Sequence, residues 1–275
     1  MITVIDTYAQ IRALLAEGGF CMACWKRYAA AVSPRLPALI QDDIREYDFE
    51  KQILPVLHFL YAHEELLEEA HAAFVQVTDG LERKCHQAVA QRLDSRVVFY
   101  LGLCSGAGWA MELDGVPTVL LGVEKIVELH WTDPRSMAGL IYHELGHQWH
   151  FQNRQAPKEY GTVREKALWQ LYSEGMAMYF EQRLCDDRHF YHQDHDGWLH
   201  WCRARREDLI REYLRRIDYG ESVQGFFGDW CSYEGHSDTG YYLGTELVRR
   251  AADMYQPKEL LNLSMAQVEM LLRTL

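Results

Sequence analysis

The sequence predicts an α+β fold that is predominantly helical, and three observations carry this prediction. Apolar residues recur at three- and four-residue steps over much of the chain, two β-like runs interrupt that spacing near the middle, and helical spacing then returns. Because the strands are grouped and do not alternate with helices, the order favours α+β over α/β. The 275 residues are enough for one core of catalytic size with an appended lobe.

The first third of the chain is predicted to be an N-terminal helical lobe, residues 1–95. Apolar residues between Asp42 and about Leu93 fall at helical spacing, with glutamates among them on what we expect to be a solvated face. Pro55 is expected to start or kink one of these helices. At Arg96 the helical spacing of apolar residues gives way to a run of β-branched and aromatic residues, so a second domain is predicted over residues 96–275.

This second domain is predicted to hold a small sheet followed by helices. Two runs, Val97–Tyr100 and Val116–Val123, are rich in β-branched and aromatic residues, and Asp114-Gly115 introduces the second run. The exposed edge of that second strand would suit pairing with an extended peptide. Asp133-Pro134 is typical of a helix start, and the helix is expected to reach about Asn153. Further helices are predicted over residues 163–184, 198–218, 240–254 and 264–274.

Charge and cysteine content exclude several classes of protein. The net charge of −12 argues against nucleic acid or an anionic membrane as the main partner, since both favour excess Lys and Arg. Seven scattered cysteines do not indicate a disulfide framework. Cys21-Met22-Ala23-Cys24 has the spacing of a zinc ribbon or a redox motif, but no second CxxC or nearby histidine pair completes it, so we interpret these cysteines as buried or incidental thiols. With no signal peptide or membrane-spanning segment visible in the sequence, we expect a cytoplasmic protein.

The strongest chemical signal is the segment His143-Glu144-Leu145-Gly146-His147 within the helix after Pro134. Residues four apart lie on one face of a helix, so the two imidazoles can reach one metal ion. The intervening Glu144 is close enough to hold a water at that metal and to take its proton. A catalytic zinc keeps three protein ligands, so this segment supplies two of them.

The third ligand is expected from the following helix, where Glu174 precedes Gly175 in an otherwise apolar run. An unpaired buried carboxylate is costly, and a metal would remove that cost. His150 is the alternative, although its angular position on the helix is poor. The His192 to Asp196 segment could bind a metal adventitiously, but we interpret it as a solvated loop.

Together, His143-Glu144-x-x-His147 and Glu174-Gly175-Met176-Ala177 resemble the gluzincin clan of zinc metallopeptidases, which includes thermolysin and the aminopeptidase N family. The resemblance covers roughly residues 97–250. It implies a zincin-like core, one zinc ion per chain bound by His143, His147 and Glu174, and Glu144 as the general base. The interval between His147 and Glu174 is longer than in those families, and Met178 stands where thermolysin has an aspartate, which leaves the second-shell partner of His143 unassigned.

Three weaker resemblances concern the substrate. Tyr241-Tyr242-Leu243-Gly244 is similar to the Tyr-x-x-Gly of aminopeptidases, which implies Tyr241 as the oxyanion donor, whereas His236-Ser237-Asp238-Thr239-Gly240 is similar to thermolysin's His-x-x-x-Gly and implies His236 in that role. Ala110-Met111-Glu112 partly matches the aminopeptidase Gly-Ala-Met-Glu-Asn motif, which implies that Glu112 binds a free amine of the substrate.

The sequence therefore predicts a zinc metallopeptidase acting on a peptide or another amide. A zinc hydrolase of a non-peptide amide or ester would use the same residues. A helical interaction protein with a metal site and no turnover is the remaining alternative. Structural zinc sites usually have four protein ligands and favour cysteine, so the predicted ligands speak against it.

Overall fold

The computed structural model describes residues 1–15, 20–228 and 231–275, and it confirms an α+β, predominantly helical fold. The chain divides into two compact units, Met1–Gln148 and Trp149–Leu275, and the division falls inside one long helix. In the ranges described, no helix is both long enough and apolar enough to cross a membrane.

The sheet of the first unit is mixed and, in the described part of the chain, has four strands in the order β1-β2-β4-β3. The strands are β1 (Ile2–Asp6), β2 (Ser95–Tyr100), β3 (Gly108–Leu113) and β4 (Val116–Gly122). Strand β2 pairs in parallel with β1 and β4, while β3 is antiparallel to β4. The two predicted strands are confirmed as β2 and β4, and β1 lies in the stretch predicted to be helical.

The predicted peptide-pairing edge of the second strand is wrong, because β4 is paired on both sides and β3 forms the edge. The reason is a tight hairpin between Leu113 and Val116, which pair across the two-residue turn. Asp114 and Gly115 have φ values of 54° and 73°, the left-handed conformation that two-residue hairpins favour. This turn folds β3 back along β4.

The described part of the first unit holds several helices besides this sheet. They are α1 (Tyr8–Leu15), α2 (Met22–Val32), α3 (Leu36–Asp43), α4 (Leu54–Ala62), α5 (Glu64–Thr78), α6 (Leu81–Ala88) and α7 (Val123–Glu128), with a π-helical turn at Phe49–Ile53. Pro55 lies in the first turn of α4, where its missing N–H costs nothing, so it starts that helix. The rings of Phe74 and Phe99 pack 4.9 Å apart in the core between α5 and β2.

Helix α8 (Pro134–Asn153) begins as the sequence predicts. The Asp133 carboxylate accepts hydrogen bonds from the N–H groups of Arg135 at 2.8 Å and Ser136 at 3.1 Å. These bonds satisfy two of the N–H groups that a helix start leaves without an intrahelical partner.

The second unit is helical throughout its described elements. It holds α9 (Val163–Cys185), α10 (Trp198–Ala204), α11 (Arg206–Tyr219), α12 (Thr239–Met254), α13 (Pro257–Leu260) and α14 (Met265–Arg273), with a 3-10 turn at Gln224–Phe226. Thr162 and Glu165 form a capping box at the start of α9. The predicted helix over residues 198–218 is interrupted at Arg205, and α10 and α11 are its two parts.

A group of four charged side chains ties helices of the second unit together. Arg164 on α9 pairs with Asp218 on α11 and with Glu269 on α14. Arg273 on α14 pairs with the same two acids. The hydrogen bond from Arg164, followed by that from Arg273, lowers the pKa of Glu269 to about 2 although partial burial opposes the shift.

Candidate metal centre

Helix α8 supplies the two histidines and the glutamate of the predicted site. His143 and Glu144 are buried, and His147 is half-buried. The two imidazole rings have centroids 4.9 Å apart and stand at 84° to each other. Helical spacing therefore produces, within the first unit, two neighbouring imidazoles on one helix face.

The Glu144 side chain lies against the start of β3. A Cβ atom on Gly108 would come 2.6 Å from Oε1 of Glu144, 2.7 Å from Cδ1 of Leu140 and 2.8 Å from Cγ of Glu144. Only glycine leaves room for that carboxylate without a shift. One turn further along α8, the Gln148 amide donates to the carbonyls of Met111 at 2.9 Å and Thr118 at 3.1 Å, which anchors the helix to β3 and β4.

A buried carboxylate fixes the connection that leads into β3. Glu124, at the start of α7, is fully buried and accepts hydrogen bonds from the N–H groups of Gly102 at 2.9 Å and Cys104 at 2.7 Å. Burial raises the pKa of Glu124, and these two N–H groups oppose the shift. Leu103 and Cys104 adopt φ values of 56° and 64°, so two consecutive non-glycine residues are in the left-handed region. This role of Glu124 was not predicted from the sequence.

Glu174, the predicted third ligand, lies half-buried on α9 in the second unit. The following residue, Gly175, is where α9 meets α12. A Cβ atom on Gly175 would overlap the backbone of Gly244, and a Cβ atom on Gly244 would overlap the carbonyl of Leu171. The glycine after Glu174 therefore permits backbone-to-backbone contact between two helices.

The same helix contact positions Tyr241. This half-buried residue lies in the first turn of α12, three residues before Gly244, and its ring is 5.8 Å from that of Phe227. Tyr241 is thus about one helical turn from the glycine contact that Glu174 adjoins. The two motifs, Glu174-Gly175 and Tyr241-x-x-Gly244, meet through their glycines.

His236, the other candidate for the oxyanion donor, and Tyr242, the neighbour of Tyr241, have different surroundings. His236 lies in a turn in which it exchanges two backbone hydrogen bonds of 3.0 Å with Tyr233, and its ring stacks on Trp201 at 4.0 Å between centroids. Tyr242 is buried, and this burial raises its pKa to about 12.

Glu112 is exposed on β3, opposite Pro117 of β4. It is four residues beyond Gly108, which corresponds to about 13 Å along a strand. Its predicted contact with a substrate amine stays a prediction.

His150 packs among aromatic side chains of the second unit. It is fully buried, with ring centroids 5.3 Å from Trp169 and 4.9 Å from Tyr172. His150 is therefore part of the buried aromatic packing of the second unit.

A buried pair, Glu181 and His192, was not predicted from the sequence. Glu181 follows Glu174 by two helical turns on α9 and is fully buried, and both its carboxylate oxygens lie 3.0 Å from Nδ1 of His192. The predicted solvated loop is correct for Asp194, His195 and Asp196 but wrong for His192, which is buried. The Gln182 side chain donates to the carbonyl of Phe190 at 2.9 Å, which holds this segment against α9.

Each unit has described side chains whose donor atoms suit a metal ion: the imidazoles of His143 and His147 lie in the first unit, and the carboxylate of Glu174 and the Glu181–His192 pair lie in the second. The predicted ligands are the first two imidazoles and the Glu174 carboxylate. Two imidazoles and one carboxylate are the protein ligands of many catalytic zinc sites, so the donor chemistry fits zinc.

No protein family model matches this chain, and no curated protein or solved structure is significantly similar to it. The resemblance to gluzincins consequently depends on the motif residues alone.

Proposed function

We propose that this protein is a zinc-dependent hydrolase of peptide bonds with a zincin-like core. His143, His147 and Glu174 are the ligands of one zinc ion per chain in this proposal. The observation that carries it is the His143-Glu144-x-x-His147 face of α8, where His143 and Glu144 are buried, His147 is half-buried, and the Glu144 carboxylate lies against Gly108 at the start of an edge strand.

Zinc, when bound at such ligands, acts as a Lewis acid that polarises a carbonyl and makes water more acidic. Glu144 takes a proton from the attacking water as the new C–O bond forms. It then delivers that proton to the leaving amine as the C–N bond breaks. A carboxylate suits both steps because it can accept and then release one proton at the same oxygen.

We assign Tyr241 as the hydrogen-bond donor to the developing oxyanion, with His236 as the second choice. Tyr241 is half-buried and lies about one turn from the Gly175–Gly244 contact beside Glu174. The His236 ring is instead stacked on Trp201. A donor of this kind typically contributes about 3 kcal/mol to transition-state stabilisation.

Peptide is the proposed substrate because β3 is an edge strand and its first residue adjoins Glu144. Edge strands pair with extended peptides through backbone hydrogen bonds. Binding of a free amine by Glu112 would make the enzyme an aminopeptidase. Hydrolysis of another amide or of an ester remains the second candidate, since it requires the same side chains.

The test is Glu144→Gln, compared with Glu68→Gln on the exposed face of α5. Each protein is prepared without chelators, its zinc content is measured, and it is assayed on peptides with free and with blocked N-termini. We expect Glu144→Gln to keep about one zinc ion per chain, and we expect its rate of peptide hydrolysis to fall at least a hundredfold, because only the proton carrier is removed. The control should behave as the wild type. Unchanged turnover in Glu144→Gln would overturn the role of this residue.

A further inference from the structure

A second chemical feature lies in the first unit, at the start of α2. Cys21 and Cys24 form a disulfide across the first turn of this helix, with Cα atoms 5.2 Å apart. The expectation that these cysteines are buried or incidental thiols is therefore wrong. The other five cysteines are thiols.

Each sulfur of this pair has a neighbour that would stabilise its thiolate. The backbone N–H of Cys24 donates to Sγ of Cys21 at 3.2 Å, at the N-terminal end of α2 where N–H groups favour negative charge. The Arg27 guanidinium donates to Sγ of Cys24 at 3.3 Å. Groups that stabilise the thiolates favour the dithiol over the disulfide and make such a bond easier to reduce.

The pair is also accessible. Both cysteines are half-buried, and Ala23 between them is exposed. Cys21 borders a cavity of about 200 Å³ in this unit, whose other lining residues are mostly apolar and include Trp25, Leu57 and Leu101. Trp25 is fixed there by a 2.9 Å hydrogen bond from its indole to the carbonyl of Leu101. The cavity therefore provides space for a small thiol beside Cys21.

We propose that Cys21 and Cys24 form a reversible redox couple that exchanges with a low-molecular-weight thiol. A thiolate of that co-reactant attacks Sγ of Cys21; the S–S bond breaks, and Cys24 leaves as a thiolate beside Arg27. A second thiolate attacks the co-reactant's sulfur in the mixed disulfide and releases Cys21. The protein disulfide gains two electrons, and two thiols are oxidised to one disulfide. This inference does not depend on the proposed hydrolase activity.

The test equilibrates the full-length protein in glutathione buffers of graded composition, with EDTA present so that bound metal plays no part. After acid quenching and alkylation, mass spectrometry measures the state of each cysteine. We expect Cys21 and Cys24 to convert together, as a two-electron couple, within the range that glutathione covers. A pair that stays disulfide-bonded at every ratio, or stays reduced in excess oxidised glutathione, would overturn the proposal.

Arg27→Gln tests the source of this reactivity, with Lys26→Gln as the matched control on the same exposed surface. Removing the guanidinium should raise the glutathione ratio, [GSH]²/[GSSG], needed for half reduction by about threefold, because the Cys24 thiolate loses its cation. In the described part of the chain the side chain that donates to Sγ of Cys24 is that of Arg27, not Lys26, so the Lys26→Gln variant should titrate as the wild type does. Equal midpoints for Arg27→Gln and the wild type would contradict the assigned role of Arg27.

A trapping variant identifies the attacked sulfur. Cys24→Ser removes the thiol that would otherwise displace glutathione from Cys21, so the Cys21 thiolate should react with oxidised glutathione, release one glutathione thiolate and remain as a stable mixed disulfide. Cys21→Ser should accumulate several-fold less adduct on Cys24. The reverse preference would refute the assignment of Cys21 as the sulfur that reacts with the co-reactant.

Discussion

The two units of the molecule hold their predicted ligands in different ways. In the first unit, α8 packs on a sheet, and the atoms that crowd Gly108 belong to the side chains of Glu144 and Leu140. In the second unit, α9 packs on α12, and the atoms that crowd Gly175 belong to the backbone of Gly244. Side chains can shift and backbones rarely can, so Glu174 depends on a stricter steric fit than Glu144.

The largest effect on stability is expected from Gly175→Ala. A Cβ atom there would overlap the backbone of α12, and overpacking of this kind costs about 3 kcal/mol of unfolding free energy. Denaturation in urea measures the change. Gly161→Ala is the control, because a Cβ atom on Gly161 would meet no atom within 4 Å. Equal stability of the two variants would show that the α9–α12 contact is not close.

A smaller loss of stability is expected from Gly108→Ala, with a larger effect on catalysis. The obstructing atoms are side-chain atoms, so the unfolding free energy should fall by about 1 kcal/mol. The added methyl group would displace the Glu144 carboxylate, and displacement of a catalytic group by about 1 Å can cost a hundredfold in rate. Hydrolysis and zinc content are measured together. Full activity in Gly108→Ala would show that Glu144 acts from another position.

The sequence could predict the parts of the site that depend on neighbouring residues, and it could not predict the parts that depend on distant ones. His143, Glu144 and His147 follow from local spacing on one helix, and the Asp133-Pro134 start of α8 is equally local. The buried Glu181–His192 pair was missed because it depends on a chain reversal after α9 that leaves no periodic signal. Strand β1 was missed for a similar reason, since Val4 pairs with Val97, far along the chain.

The smallest effect is expected from Glu269→Gln in the second unit, and it depends on pH. Hydrogen bonds from Arg164 and Arg273 lower the pKa of Glu269 from 4.5 to about 2. The ionised pair therefore stabilises the folded state above about pH 4.5, and this contribution disappears as the pH falls towards 2. Denaturation measured from pH 7 to pH 3 should show that the unfolding free energy of Glu269→Gln is about 1 kcal/mol below that of the wild type at neutral pH. This difference between the two proteins should decrease as the pH falls. A difference in unfolding free energy that stays constant over this pH range would show that the ionisation of Glu269 does not stabilise the fold.

The central claim is that one zinc ion takes two histidines from α8 and Glu174 from α9. The most direct measurement is the zinc content and zinc dissociation constant of Glu174→Ala, beside the wild type and a control, Glu207→Ala, on the exposed face of α11. We predict about one zinc ion per chain in the wild type and the control, and at least a hundredfold weaker zinc binding in Glu174→Ala because a direct ligand is lost. A wild-type protein without zinc, or Glu174→Ala with undiminished affinity, would contradict the account.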